Sequence, residues 1–315
     1  MASAKRFAAI DIGTVTCRLL IADVQENGAI SEVLRETIIC NLGVGVDKTG
    51  LLAPESIERA GAAIEKFVAL MREHQISSDE PMPVLAVATS ASRDAQNADD
   101  FKARLAKAGL QLNIIPGERE AALSFAGASS SFVGERVVVV DVGGGSTEII
   151  AGEAGGEPER AHSFNVGCRR VTERFLHSDP PTADELEQAG QWIASEFSSY
   201  LAELRDAGQL NARMVAVAGT ATSIVSMREE MVEYDSKRVH RSIVSRADVD
   251  AMLSRLAAIS TEERKQVVGL NPNRAPVIVA GVLILQQIME LAGVDEFTVS
   301  ETDILHGIIM AQSNG

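Results

Sequence analysis

Short apolar runs that stop at glycine alternate along this chain with longer stretches of helical spacing. Residues 7–12 form an apolar run interrupted by Asp11, and after a turn at Gly13 a second run covers 19–24, which predicts strand, glycine turn, strand. Residues 56–73 place Ile57, Ala60, Ile64, Phe67, Val68 and Met71 at helical spacing behind Pro54, a residue suited to a first helical turn. Residues 84–88 read as a buried strand, 97–108 as an amphipathic helix opened by Asn97, and 110–115 as a strand closed by Pro116 and Gly117. Alternating strands and helices predict an α/β fold.

The second half begins as the first does. Residues 136–142 are a valine-rich strand that runs into Asp141-Val142-Gly143-Gly144-Gly145-Ser146-Thr147-Glu148 and then into Ile149, Ile150 and Ala151. A second strand pair around Asp-x-Gly points to internal duplication, two α/β domains each opening with the same hairpin. Beyond it the pattern predicts a helix at 183–206, a strand at 214–218 ending in Gly219-Thr220-Ala221-Thr222, and an apolar helix at 276–291. A short strand at 297–299 and a helix at 304–312 follow, while 152–160 and 179–182 read as loops. The expected division is 1–120 for the first domain, with 303–314 packing back on it, and 121–302 for the second.

Of the 315 residues 46% are hydrophobic, enough for a sizeable core, which excludes a disordered chain or a disulfide-stapled miniprotein. Aromatics are only 4%, with the single Trp192, so aliphatic side chains must carry that core. The formal charge of −15 argues against a nucleic-acid or membrane-surface binder, and any polyanionic partner must be held locally. Cys17, Cys40 and Cys168 lack CxxC spacing and read as buried small hydrophobes of a reducing compartment. The N-terminus meets Asp11 before any long apolar region develops, and the run at 275–285 is too short for about 30 Å of hydrocarbon. A cytoplasmic protein is expected.

Candidate chemistry gathers at three glycine-rich strand ends, where backbone N–H groups without obstructing side chains make anion sites or simply structural turns. The first is Gly13 with Thr14, Thr16 and Arg18; the second Gly143, Gly144 and Gly145 with Ser146 and Thr147; the third Gly219 with Thr220 and Thr222. Three of them favour phosphate. Asp11, Asp141 and Glu148 beside these donors would repel a phosphate unless a cation such as Mg2+ lay between; the alternative is hydrogen bonding within the hairpins. Glu118 or Glu120, opening a helical pattern after Pro116, could orient and deprotonate water, or simply favour the helix dipole. Arginine supplies 22 of the 29 cations and suits phosphate with its planar fork. Arg18, Arg93, Arg170, His240, Arg241 and Arg274 stand in glycine-rich, polar or basic context, with solvated surface charge as the plain alternative.

Taken in order along nearly the whole chain, these motifs resemble the exopolyphosphatase and guanosine pentaphosphate phosphohydrolase (Ppx/GppA) family of the actin, Hsp70 and sugar-kinase superfamily. Ala9 to Leu20 resembles AIDIGSNSxRLL, Asn41 to Val46 LGxGV, Ala88 to Asn97 ATSAxRDAxN, and Gly117 to Leu123 SGxEEAxL. Asp141 to Glu148 is similar to DIGGGSTE and Gly167 to Glu173 to GSVRLTE; Val217 to Thr222, Val239-His240, Arg274 to Gly281 and Val299 to Gly307 are similar to the later motifs. The resemblance implies an α/β fold of two actin-like, ribonuclease H-like domains with an interdomain cleft. It implies an exopolyphosphatase releasing terminal orthophosphate from linear polyphosphate, or else guanosine pentaphosphate hydrolysis on the same site. It further implies Glu120 as the base, Asp141 and Glu148 with Glu120 as acids handling Mg2+ and phosphate, Arg93 and Arg274 facing the polyanion or the transition state, and a homodimer.

The departures are Val15, Arg119, Pro276, Asp303, Leu305 and His306, none of which removes the proposed base or the glycine turn. Arg119 is expected to stand beside the base and lower its pKa. The chain stops soon after the last motif, without the C-terminal helical domains of longer members, which leads to an expectation of short polyphosphate as substrate. An ATP-dependent kinase would share the turns but need an adenosine pocket, and retention of Glu120, Asp141 and Glu148 argues against a non-catalytic alarmone sensor.

Overall fold

In the computed structural model, which describes residues 4–76 and 84–314, two α/β units are each built on one mixed sheet. The first unit takes the chain through Gly127 together with Ile304 onward, and the second takes Ala128–Asp303. Strands β1 (Lys5–Ile12), β2 (Thr16–Val24) and β3 (Ile30–Ile39) form an antiparallel meander. Strands β4 (Val84–Ala88) and β5 (Leu112–Ile114) continue parallel to β1, so the order is β3-β2-β1-β4-β5. Helices Pro54–Glu73 and Ala98–Lys107 make the crossovers that parallel pairing requires.

The second unit repeats this plan. Strands β6 (Arg136–Val142), β7 (Thr147–Glu153) and β8 (Arg160–Phe164) are again an antiparallel meander. Strand β9 (Arg213–Val217) lies parallel to β6 after the crossover helix Ala183–Asp206. Strand β10 (Ile243–Ser245) edges the sheet beside β11 (Glu296–Val299), which is parallel to β9, giving the order β10-β11-β9-β6-β7-β8. Read from β8 inward, the first five strands match the first sheet in order and direction. The duplication expected from two Asp-x-Gly hairpins is therefore one of whole α/β units.

Burial explains why some strands were plain in the sequence. Ala8, Ile10 and Ile12 of β1 face Ile64, Phe67 and Phe101, while Phe7 and Ala9 face Leu123, Ile304, Leu305, Ile308 and Ile309 on the other side. A strand covered on both faces is apolar at every position. The helix Ile304–Ser313 thus closes the second face of the first sheet. By contrast β3, β8 and β10, which the pattern did not mark, all lie at or next to a sheet edge and carry mixed, partly exposed positions. The stretch read as a loop at 152–160 runs directly into β8. Among the described residues no helix is long and apolar enough to cross a membrane.

Candidate active site

The two hairpin turns are built alike. Gly13 N–H donates to Thr16 O at 2.8 Å, and Gly143 N–H donates to Ser146 O at 3.0 Å. In the first turn Thr14 O accepts from Gly43 N–H at 2.9 Å, and Val15 O accepts from Cys40 and Asn41 N–H at 3.0 and 2.9 Å. In the second, Gly143 O accepts from Cys168 N–H at 3.0 Å and Gly144 O from Arg169 N–H at 2.8 Å, while Arg170 Nε donates to Gly145 O at 3.0 Å. With their carbonyls committed to these braces, the turns leave the N–H groups of Thr14 and Val15, and of Gly144, Gly145 and Ser146, without a protein acceptor among the described residues. The buried Thr14 hydroxyl is likewise unpartnered. Rows of such backbone donors in a turn can bind an anion.

Glycine is required where the second brace approaches. A Cβ on Gly167 would stand 2.5 Å from Gly144 C and O, and Gly43 leaves no room for one against Thr14. Behind the first brace Cys17 and Cys40 bring their sulfurs to 2.9 Å, although the sequence separates them widely. All three cysteines are buried, and the hydrogen bond to Cys40 together with burial pushes the Cys17 thiol well above its usual value.

Strand register decides which acids stand together. Asp11 lies opposite Arg18 across β1 and β2, and Arg18 donates to Asp11 Oδ2 from Nη2 at 2.7 Å and Nε at 3.0 Å. These two residues, both expected to face phosphate, are therefore engaged with each other. The equivalent pair in the second hairpin is Asp141 opposite Glu148, two buried carboxylates in one row. Glu148 in turn lies opposite Ser163 of β8, whose hydroxyl donates to Glu148 Oε1 at 2.6 Å. Hard oxygen donors of this kind suit Mg2+, which is commonly held by one or two carboxylates plus substrate phosphate. Among the described residues no group of three or more His, Cys, Asp or Glu side chains is placed to hold a metal.

Glu120 belongs to the first unit, in the first turn of the helix Gly117–Ser129. It is buried, whereas Glu118 and Arg119 are exposed, and this separates the two candidate bases. Its cationic neighbour is Arg93, from the short helix Ser90–Asp94, whose Nη1 donates to Glu120 Oε2 at 3.0 Å and to Ile115 O at 3.2 Å. Arg119, the next residue of the helix, is exposed, and Arg93 is a cation in direct contact with Glu120.

The third expected glycine loop is instead a helix start. Ala218–Arg228 begins directly after β9, with Gly219 and Thr220 in its first turn. A Cβ on Gly219 would run into the Arg274 guanidinium, so glycine there admits Arg274 and does not shape a loop. Nearby, Tyr234 donates its hydroxyl to Glu301, and burial first, then Glu301, pushes its phenol up. His240 Nδ1 accepts from Glu301 N–H at 3.1 Å. Arg241, with φ +65, donates N–H to Val299 O at 2.7 Å and its guanidinium to Ser131 O, lying 5.0 Å from the Phe132 ring centroid. Arg170 and Arg241 therefore fasten backbone. Ser163 and Tyr234 escaped sequence reasoning, Ser163 because β8 carried no strand signal.

The profile of the Ppx/GppA phosphatase family matches residues 20–314. Exopolyphosphatase 2 of Mycobacterium tuberculosis is 39% identical to this chain over 321 residues, covering 97% of this chain and 98% of that protein. The crystal structure of an exopolyphosphatase-like protein superposes with TM-score 0.88 at 32% identity, covering 98% of this chain and 97% of the other. The Aquifex aeolicus Ppx/GppA family member does so with TM-score 0.79 at 28% identity, covering 99% and 98%. A family match that spans both units, with a relative of 39% identity over nearly the whole chain, identifies this protein as a member of the Ppx/GppA phosphatase family.

Proposed function

We propose that this chain is an exopolyphosphatase, which hydrolyses the terminal phosphoanhydride bond of linear polyphosphate and releases orthophosphate. The observation that carries the reading is the second turn, where three backbone donors without acceptors among the described residues adjoin the buried Asp141–Glu148 pair. Donors for phosphate oxygens beside carboxylates for a cation are what an anionic anhydride needs, and the relative named exopolyphosphatase supports the substrate.

Asp141 and Glu148 would hold Mg2+, which when bound neutralises charge on the phosphoryl oxygens. The turns at Gly13 and at Gly143 to Gly145 orient phosphates through backbone N–H groups. Glu120, steadied by Arg93, accepts the proton of the attacking water. The water oxygen bonds to the terminal phosphorus, the bridging P–O bond breaks, and the shortened chain leaves.

Incubation of the protein with polyphosphate and Mg2+, without nucleotide or acceptor, should release phosphate. Glu120→Gln should lower turnover by about 10²–10⁴-fold, the usual worth of a positioned base, with melting temperature and polyphosphate binding retained. Full activity in that variant overturns the role of Glu120. Faster release from guanosine pentaphosphate than from polyphosphate under the same conditions would move the substrate assignment to the nucleotide.

A further inference from the structure

Asp141, Glu148 and Ser163 form one row across β6, β7 and β8, each directly opposite the next, so their side chains share one face of the sheet. The Ser163 hydroxyl lies 2.6 Å from Glu148 Oε1, within the range of a hydroxyl donating to an ionised carboxylate. The corresponding row of the first unit is Asp11, Arg18 and Thr37, with a cation in the middle. Acid, acid, hydroxyl is therefore a specialisation of the second unit.

The strand that carries Ser163 is firmly seated. His162 and Phe164, its neighbours on the opposite face, have ring centroids 4.3 Å apart, and Phe164 meets Phe197 edge-on at 4.7 Å. Tyr200 adds a hydrogen bond to Ile149 O at 3.2 Å, tying β7 to the helix Ala183–Asp206 beneath. The hydroxyl position thus follows from strand register and an aromatic anchor, and does not depend on a long flexible side chain. A carboxylate with one oxygen gripped this way loses freedom to rotate about its last torsion.

We infer that Ser163 is a positioning residue that orients Glu148 as a ligand for a divalent cation. The inference rests on the reading of Asp141 and Glu148 as the cation-binding pair. Outer partners of metal-binding carboxylates commonly contribute 10–100-fold to affinity, so Ser163→Ala should weaken binding by about tenfold or more. The test is direct titration of the whole protein with Mn2+ followed by electron paramagnetic resonance, without substrate. Ser163→Ala, Ser163→Thr and Glu148→Ala are compared with the wild type, and each melting temperature is taken in chelator. Weaker Mn2+ binding in Ser163→Ala at unchanged melting temperature, restored by the hydroxyl of Ser163→Thr, supports the role. Wild-type affinity in Ser163→Ala, with binding lost in Glu148→Ala, overturns it while leaving the cation pair standing. Unchanged binding in Glu148→Ala removes that pair, and the inference with it.

Discussion

Glu32 shows a single carboxylate setting a pH dependence. It accepts from His306 Nε2 at 3.0 Å and from Arg35 Nη2 at 2.8 Å. The hydrogen bond from His306 first, then that from Arg35, holds its pKa down to about 2 against the opposing effect of burial. A carboxylate depressed on folding stabilises the protein above its unfolded pKa, near 4.5, and that contribution is lost as pH falls through about 2. The melting temperature of the wild type should therefore exceed that of Glu32→Gln above pH ~5, and the gap should close steadily over that acidic window. A gap that is the same at low and neutral pH would show that Glu32 contributes no ionic stabilisation. The effect should be modest, since the Glu32 side chain is 43% exposed and water screens it. The same contact accounts for a departure from the family motif: His306 stands where the motif has Glu, and here it faces a carboxylate. Spacing left Glu118 and Glu120 open and the family resemblance pointed to Glu120, which is buried where Glu118 is exposed, because helical phase relative to the core depends on what the helix packs against.

At the scale of elements, Gly307 sets how closely two helices pack in the first unit. A Cβ there would collide with the carbonyl oxygen of Leu123, in the helix that carries Glu120. Backbone cannot rotate away as a side chain can, so Gly307→Ala should cost at least the ~1–3 kcal/mol of an overpacked core. Chemical denaturation of the two proteins measures it, and equal stability would mean that the helices separate freely. Strands β1, β4, β6 and β9 were legible because both their faces are covered, which makes their sequences continuously apolar. Strand β3 was not, since Glu32, Arg35 and Glu36 interrupt its pattern where it lies at the sheet edge. The reading of Gly219-Thr220-Ala221-Thr222 as a loop failed for another reason. Glycine before threonine looks like a turn, yet the partner that demands glycine is Arg274, far along the chain.

For the whole molecule, the chain begins and ends in the same unit. Ile304, Leu305, Ile308 and Ile309 return to cover Phe7, Ala9 and Leu20. Each fully buried aliphatic side chain is worth about 1.5–3 kcal/mol, so four of them rival the ~5–15 kcal/mol that holds a domain together. Truncation after Asp303 should therefore unfold the first unit or greatly lower its transition, seen by circular dichroism as lost cooperative signal. A truncated chain that melts like the full one would contradict this assignment of the core. The formal charge of −15 acts on the same scale. It offers a polyanion no broad attraction, so in the proposed function binding would fall to confined donors such as the two braced turns. Duplication, the apolar strands, the long helices and the Asp-x-Gly turns could all be read from the chain before folding, because each depends on neighbours within a few residues. Folding alone settled that Asp11 meets Arg18 while Asp141 meets Glu148, that Ser163 grips Glu148, that Arg93 holds Glu120 and that two distant cysteines touch. Those pairings come from strand register and helix packing between remote segments, which no local periodicity encodes.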